Sequence, residues 1–196
     1  MIKGTKTRLC LLEEGDLPRL AEWRSDPVIA RQFFSPWEVA ESEQADWYRA
    51  YRANPAERMW IVQTPEHHAI GCLALTALDW RNRSAELGRV LIGEQGYLCQ
   101  GYAYDAVQAL QGYVFEELGL HRLEARVFAD NKAARGLYGK AGFRVEGLLR
   151  AAIWRGGRWR DILIYARLAE GPTSTRECCC PSDLSCNAYA DVGVEQ

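Results

Sequence analysis

The chain has 196 residues, which is enough for one domain with a full hydrophobic core and a short extension. Hydrophobic residues make up 48% of it and charged residues 26%, a composition that excludes a wholly disordered or collagen-like chain. The sequence has no apolar run of about 18 residues, so we expect no membrane-spanning helix and no membrane partner. A net charge of −2 gives no support for nucleic-acid binding.

The predicted elements of the first half alternate between strand and helix. Asp16 is placed to cap the first helix, and Asp26-Pro27 ends it. Alternating apolar residues predict the strands, and the polar turn at 65–68 joins two of them into a hairpin. In chain order the predictions are a strand at 7–12, helices at 16–24 and 42–53, and strands at 59–64, 69–77 and 85–92.

The second half begins with a glycine-bearing loop and continues with the same alternation. In chain order we predict a loop at 93–101, a helix at 103–118, a strand at 122–128, a short helix between Asn131 and Gly142, and strands at 143–149 and 162–168. Gly156-Gly157 is typical of a hairpin turn. Together the elements predict an α/β (α+β) domain with a mixed, mostly antiparallel sheet of six to seven strands and about four helices.

The end of the chain differs in composition from the rest. From residue 171 onward the apolar periodicity is lost and Ser, Thr, Pro, Asp and Cys accumulate, so we expect a domain at 1–170 and a disordered acidic tail at 171–196. Seven cysteines, three of them adjacent at 178–180, are a poor disulfide framework and lack the spacing of a zinc site. With no apolar signal at the N-terminus, this predicts a reducing, cytoplasmic location and no metal.

The segment 90–110 carries the strongest local signal for a ligand. A strand leads through glycines directly into a helix, which brings free backbone N–H groups and the positive end of a helix dipole to one point. Such a point binds phosphate, although an ordinary strand-to-helix turn has the same pattern. The loop has neither the Lys-Ser/Thr ending of a P-loop nor the three-glycine dinucleotide fingerprint.

An ordered series of motifs resembles the GNAT superfamily of acetyl-coenzyme A-dependent N-acetyltransferases. Within it, the chain is most similar to the branch of the ribosomal-protein alanine and spermidine acetyltransferases. The resemblance covers residues 6–168 and rests on the segments 83–88, 96–103, 118–122, 131–138, 142–143 and 146–147. It implies a single GNAT-like domain whose sheet is splayed at the acetyl-coenzyme A site.

The resemblance also implies which residues bind the coenzyme. The family's pyrophosphate loop, Q/R-x-x-G-x-G/A, aligns with residues 98–103, where Gly101 and Ala103 match and Leu98 departs. Because backbone N–H groups hold the phosphates, we expect this departure to weaken binding without abolishing it. The implied coenzyme-binding set is Val90, Leu91, Ile92, Leu98, Cys99, Gln100, Gly101, Tyr102, Ala103 and Asn131.

Tyr138 and Glu86 are the candidate catalytic residues. Tyr138 follows Asn131 by seven residues, about two helical turns, so both share a helix face. The resemblance implies that Tyr138 protonates the departing thiolate, which a phenol of pKa ~10 can do. Glu86 is a candidate general base for the amine. The alternative for Tyr138 is a core aromatic. The alternatives for Glu86 are a solvated strand carboxylate and an ion pair with Arg83 or Arg126.

The sequence supports two interpretations of the acceptor pocket. Aromatic and acidic residues between 33 and 48, among them Phe33, Trp37 and Glu38, suit a cationic amine. The hairpin at 154–160, which begins with Trp154, holds three arginines that suit an acidic or nucleotide-bearing acceptor.

The sequence therefore predicts an acetyl-coenzyme A-dependent N-acetyltransferase that acts by direct attack of a primary amine. The acceptor is a protein N-terminus or a small amine such as a polyamine, an amino sugar or an amine antibiotic. The enzyme could form a homodimer. The alternative function is a non-catalytic acyl-coenzyme A-binding regulatory module, which only the Leu98 departure favours.

Overall fold

The computed structural model describes residues 1–34 and 41–169 of the chain. The predicted tail at 171–196 and the candidate residues Trp37 and Glu38 lie outside the described residues. The helices are α1 (Leu17–Ser25), α2 (Pro27–Ala30), α3 (Glu41–Ala53), α4 (Tyr102–Gly112) and α5 (Lys132–Lys140). The strands are β1 (Ile2–Lys3), β2 (Arg8–Leu11), β3 (Arg58–Gln63), β4 (Ala69–Asp79), β5 (Ser84–Ile92), β6 (Arg122–Phe128), β7 (Arg144–Arg155) and β8 (Arg158–Leu168).

The strands form one sheet in the order β1-β2-β3-β4-β5-β6-β8-β7. Every neighbouring pair is antiparallel except β5 and β6, which are parallel, so the predicted mixed sheet is confirmed. The sheet has eight strands rather than six to seven, because the two residues of β1 are too few to show any periodicity.

Helices cover both faces of the sheet. On one face, α4 and α5 bury residues such as Val107, Leu110 and Tyr138 in a core with β3 to β6. On the other face, α1 and α3 bury Leu20 and Tyr51 against alternate residues of β3 and β4. Central strands covered on both faces read as nearly continuous apolar runs, and β4 has this pattern.

Helix α2 was not predicted. The Asp26-Pro27 pair ends α1 as expected, but it also starts the next helix. The Asp26 carboxylate accepts from the backbone N–H of Val28 at 2.7 Å, and Pro27 occupies the first turn, where its missing N–H costs nothing. The same two residues therefore act as a stop and as a start. No helix of the part of the chain that the structure describes is long and apolar enough to cross a membrane.

The parallel pair β5–β6 opens into a gap. Its register runs only from Ser84 opposite Arg122 to Glu86 opposite Glu124. Beyond this point β6 continues along β8 as far as Phe128, while β5 continues along β4 as far as Ile92. The splayed sheet that the resemblance implied is therefore present in the structure.

Candidate active site

The loop after β5 presents backbone N–H groups at the start of α4. Gly101 is the residue before the helix, and its φ of +87° lies in the left-handed region that glycine adopts without strain. The first helical hydrogen bond runs from Asp105 N–H to the Gly101 carbonyl at 2.9 Å, so the N–H groups of residues 101–104 have no partner inside the helix. This is the anion-binding geometry that the sequence predicted.

Asp105 ties this helix start to the N-terminus of the chain. Its buried carboxylate accepts from the backbone N–H groups of Thr5 (3.0 Å) and Lys6 (2.9 Å) and from the hydroxyls of Thr5 and Thr7. Burial alone would raise the pKa of Asp105, but these donors together outweigh it and hold the pKa below its ordinary value.

The same tie brings Lys6 to the loop before α4. The Lys6 ammonium donates to the Gln100 carbonyl at 3.3 Å and lies 5.9 Å from the centre of the Tyr102 ring. Leu98, in the position where the family has Gln or Arg, is 49% exposed and supplies no charge. Sequence analysis missed Lys6, because 94 residues separate it from Gln100 and no local pattern marks it.

A β-bulge changes the direction of β5 where the gap opens. Gly88 is opposite Ala74 and Leu91 is opposite Cys72, so Arg89 and Val90 together face the single residue Leu73. Arg89 has a φ of +53°, which is uncommon for a residue with a side chain. The bulge lies immediately before Val90, Leu91 and Ile92, the predicted contacts of the coenzyme arm.

Glu86 occupies the last paired position of β5 before the gap. Its neighbours Ala85 and Leu87 are buried in the core, so the pleat turns Glu86 to the opposite side. The Arg126 guanidinium lies 3.5 Å from its carboxylate, whereas Arg83 instead donates to the Gly119 carbonyl. Burial raises the pKa of Glu86, and Arg126 opposes this only in part.

Tyr138 is 4% exposed and packs against Phe143 and Tyr165, with ring centres 5.1 and 5.9 Å away. Burial raises its pKa above the ordinary value, and the negative charge of nearby Glu86 adds to this. The hydroxyl therefore stays protonated throughout the neutral range. The effect of the Glu86 charge also indicates that the two predicted catalytic side chains lie near each other.

Asn131 caps α5 with its side chain. Its amide oxygen accepts from the Ala134 N–H at 3.1 Å, as expected for a residue at this helix boundary. Two turns later on the same helix stands Tyr138, and Gly142, with a φ of +86°, ends the element. Asn131 therefore lies three residues after the end of β6, and the helix that it caps carries Tyr138 to Phe143 and Tyr165.

The two predicted acceptor residues that the structure describes, Phe33 and Trp154, lie in different parts of the fold. Phe33 packs under the Arg24 guanidinium, 4.2 Å from its ring centre, on the α1 and α3 side of the sheet. Trp154 is 58% exposed on the β7–β8 hairpin and packs edge-on against Trp159 at 5.4 Å. Among the residues that the structure describes, no group of three His, Cys, Asp or Glu could hold a metal ion.

The fold and this gap are those of an acetyltransferase. The acetyltransferase (GNAT) domain family model matches residues 7–144, more than half of the chain, and the chain therefore belongs to this family. It is an acyltransferase enzyme, and acetyl-coenzyme A is the acetyl donor of the family.

Relatives of the chain are N-acetyltransferases. It is 28% identical over 160 residues to spermidine N(1)-acetyltransferase of Vibrio cholerae, which covers 81% of this chain and 91% of that protein. It is 32% identical over 166 residues to the putative ribosomal N-acetyltransferase YdaF of Bacillus subtilis, with coverages of 81% and 88%. The crystal structure of the Vibrio cholerae spermidine N-acetyltransferase with CoA and spermine is similar with a TM-score of 0.78, at 27% identity, over 84% of this chain and 96% of that one.

Proposed function

We propose that this enzyme transfers the acetyl group of acetyl-coenzyme A to a primary amine by direct attack in the gap between β5 and β6. The observation that carries the proposal is convergence at one place. Beyond Glu86, β5 is bulged and unpaired with β6 and leads to the unbonded helix start at Gly101, and the charge of Glu86 acts on buried Tyr138. When bound there, acetyl-coenzyme A would supply an activated thioester.

The chain's own groups fit this coenzyme. The N–H groups of residues 101–104 suit a pyrophosphate, and Lys6 adds a positive charge at the Gln100 end of the loop. The edge of β5 that faces the gap beyond Glu86 is not paired to β6, so an extended pantetheine chain can bind there as an added strand. The amide oxygen of Asn131 serves the helix cap, which leaves its amide nitrogen for a contact with that chain.

Three groups act on the reacting atoms in this proposal. The N–H of Val90 or Leu91 donates to the acetyl carbonyl oxygen. Glu86 accepts the proton of the amine, directly or through water, and its raised pKa suits a base. Tyr138 holds the proton that the departing thiolate needs, in a buried site where a charged sulfur is poorly solvated.

The acceptor is a primary amine, and its finer identity rests on the relatives. Their names favour a polyamine such as spermidine, with a protein N-terminus as the second class. An amino sugar or an amine antibiotic presents the same nucleophile. We also propose a cytoplasmic location, which is supported by Cys10, Cys72 and Cys99, since none of them is in a disulfide within the described residues.

A homodimer would form through β7 in this proposal. β7 is an edge strand, and it exposes the apolar side chains of Val145, Leu148 and Leu149. Light scattering behind size-exclusion chromatography should then report a particle larger than one chain, and a monomer at high protein concentration would contradict this.

Mass spectrometry of the acceptor tests the proposed reaction. The protein is incubated with acetyl-coenzyme A labelled in the acetyl group and with an amine panel of spermidine, an aminoglycoside, a nucleotide amino sugar and peptides with N-terminal Ala or Ser. The proposal predicts one labelled acetyl group on one of these amines. Tight coenzyme binding with no labelled amine in any reaction would favour the non-catalytic module instead.

A further inference from the structure

An arginine-lined cavity lies between the β7–β8 hairpin and the end of α2. It has a volume of about 440 Å³ and is lined by Arg31, Asp130, Arg155, Gly156, Arg158 and Arg160. This volume is within the range of small-molecule sites. The cavity is not part of the coenzyme loop, which lies at the start of α4.

The hairpin register puts three of the arginines on one side. Arg155 pairs with Arg158, and Ile153 pairs with Arg160, while the intervening pair Trp154–Trp159 points to the opposite face. Gly156 and Gly157, with φ values of +61° and +75°, make the tight turn that this register requires.

Helix α2 fixes the guanidinium groups in place. Arg155 donates to the Ala30 carbonyl at 3.3 Å, and Arg160 donates to the Arg31 carbonyl at 2.9 Å. These are carbonyls at the C-terminal end of a helix, where positive charge is favoured. Neutral carbonyls orient the two arginines without neutralising them.

The lining carries an excess of positive charge. Asp130 is the only carboxylate among the lining residues that the structure describes, and it accepts from both Arg158, at 2.7 Å, and Arg160. The hydrogen bonds from Arg160 hold the pKa of Asp130 below its ordinary value, so it is ionised at neutral pH. Four arginines against one aspartate leave a net charge of +3. In addition, the Nε of Arg160 is buried and has no hydrogen-bond partner within the described residues.

The cavity lies beside the end of β6. The Arg160 guanidinium lies 3.5 Å from the centre of the Phe128 ring, and Phe128 is the last residue of β6, the strand that borders the gap. Asp130 directly precedes Asn131, the cap of the helix that carries Tyr138. A molecule with its amine in the gap can therefore reach this cavity with another group.

We propose that this cavity binds an acidic group of the acceptor, so that the preferred acceptor is a primary amine that also carries a phosphate or a carboxylate. This inference rests on the proposed function, and among primary amines it selects an acid-bearing acceptor over the polyamine that the names of the relatives favour. Arginine forks bind both groups through paired N–H donors, and a pocket of net positive charge repels a polycation such as spermidine.

Anion binding to the coenzyme-saturated protein tests the inference directly. Coenzyme A at saturation occupies the α4 phosphate site, and inorganic phosphate and malonate are then titrated separately by calorimetry. We expect one of the two anions to bind to the wild type, and the arm that binds identifies the acidic group. In the double variant Arg155→Gln/Arg158→Gln we expect binding weakened by about tenfold for each arginine lost, which is about 1.4 kcal/mol each.

Arg144→Gln is the matched control, because Arg144 is exposed at the other end of β7, away from the cavity. It should bind the anion as the wild type does. Unchanged coenzyme binding in the double variant shows that the variant is folded. Equal anion affinity in the double variant and the wild type, or no anion binding by the wild type, would overturn the inference.

Acetyl transfer separates this inference from the proposed function. Ethanolamine, O-phosphoethanolamine and β-alanine are compared with spermidine as acceptors. A higher kcat/KM for an acid-bearing amine, lost in the double variant, supports the cavity's role. Transfer to spermidine in preference to every acid-bearing amine would overturn the inference and leave the proposed function intact, whereas the proposed function fails where no amine in any panel is acetylated.

Discussion

The buried phenol of Tyr138 makes a sharp test of its role at the scale of one residue. Tyr138→Phe keeps the ring that packs on Phe143 and Tyr165 and removes only the hydroxyl. We expect kcat to fall by about 100-fold, the usual contribution of a positioned general acid, with an unchanged Kd for acetyl-coenzyme A. Because the pKa of Tyr138 is raised, the wild-type rate should show no loss from phenol ionisation between neutral and mildly alkaline pH.

Tyr165→Phe is the control for this prediction. Tyr165 is buried in the same aromatic cluster, and we propose no proton transfer from its hydroxyl. Its variant should retain its rate. Equal kcat values for Tyr138→Phe and Tyr165→Phe would show that Tyr138 is a core aromatic residue without a catalytic role, which is the alternative that the sequence left open.

The Glu86–Arg126 pair predicts a change in pH dependence. A base must be ionised, so kcat/KM should fall as pH decreases through the pKa of Glu86, which is raised by burial and partly lowered by Arg126. Arg126→Gln removes the lowering charge, and the acidic limb of the kcat/KM profile should move to higher pH. In Glu86→Gln the acidic limb of the kcat/KM profile should disappear. Its kcat/KM at neutral pH should be lower by about 100-fold.

Arg83→Gln serves as the comparison, since Arg83 bonds the Gly119 carbonyl instead of Glu86. The acidic limb of the kcat/KM profile of Arg83→Gln should lie at the same pH as that of the wild type. An unmoved limb in Arg126→Gln would mean that another group, or the free amine itself, sets the profile.

At the scale of elements, Asp105 fixes the start of α4. Asp105→Asn replaces a carboxylate that accepts four hydrogen bonds with an amide, and we expect a loss of about 2 kcal/mol in the free energy of unfolding in urea. Because the folded pKa is lowered, the wild-type advantage should be present above the unfolded pKa of about 3.9 and be lost as pH falls through the folded value.

The exposed Asp46, which pairs with Arg49 on the surface of α3, gives the control. Asp46→Asn should change stability little, since exposed pairs contribute about 0–1 kcal/mol. Similar losses in both variants would contradict the special role of Asp105.

Strand β5 depends on its close contact with β4. A Cβ at Gly71 would lie 2.2 Å from the Leu91 carbonyl oxygen, a backbone atom, so Gly71→Ala must displace the segment that we propose binds the coenzyme. We expect a higher KM for acetyl-coenzyme A and a loss of about 2 kcal/mol in stability. Gly112→Ala, at the far end of α4, meets nothing within 4 Å and should have neither effect. A normal KM in Gly71→Ala would remove β5 from the coenzyme site.

At the scale of the whole molecule, the sequence was informative wherever the signal is local. Seven strands and four helices follow from periodicity and caps, and the loop before α4 follows from its glycines. The family resemblance then implied the splayed sheet. Strand β1 has no period to detect, and the Asp26-Pro27 pair reads equally as an end and a start.

Contacts between segments that are far apart in the sequence could not be predicted from local patterns. The bulge at Arg89 was not visible, because a residue with a side chain gives no sign of a positive φ. Asp105 and Lys6 meet only after the sheet has formed, 99 residues apart. The three hairpin arginines were seen, but the register and helix α2 were needed to show that they share one side and one cavity.

Acetylation of an amine by acetyl-coenzyme A releases the coenzyme A thiol, so the rate of thiol release is a direct measure of the proposed reaction. The rate is recorded at saturating acetyl-coenzyme A, with no acceptor and then with spermidine, O-phosphoethanolamine, a nucleotide amino sugar and peptides with N-terminal Ala or Ser. We predict release that depends on one amine and falls about 100-fold in Tyr138→Phe. Measurable coenzyme binding with no amine-dependent release from the whole panel would contradict the account.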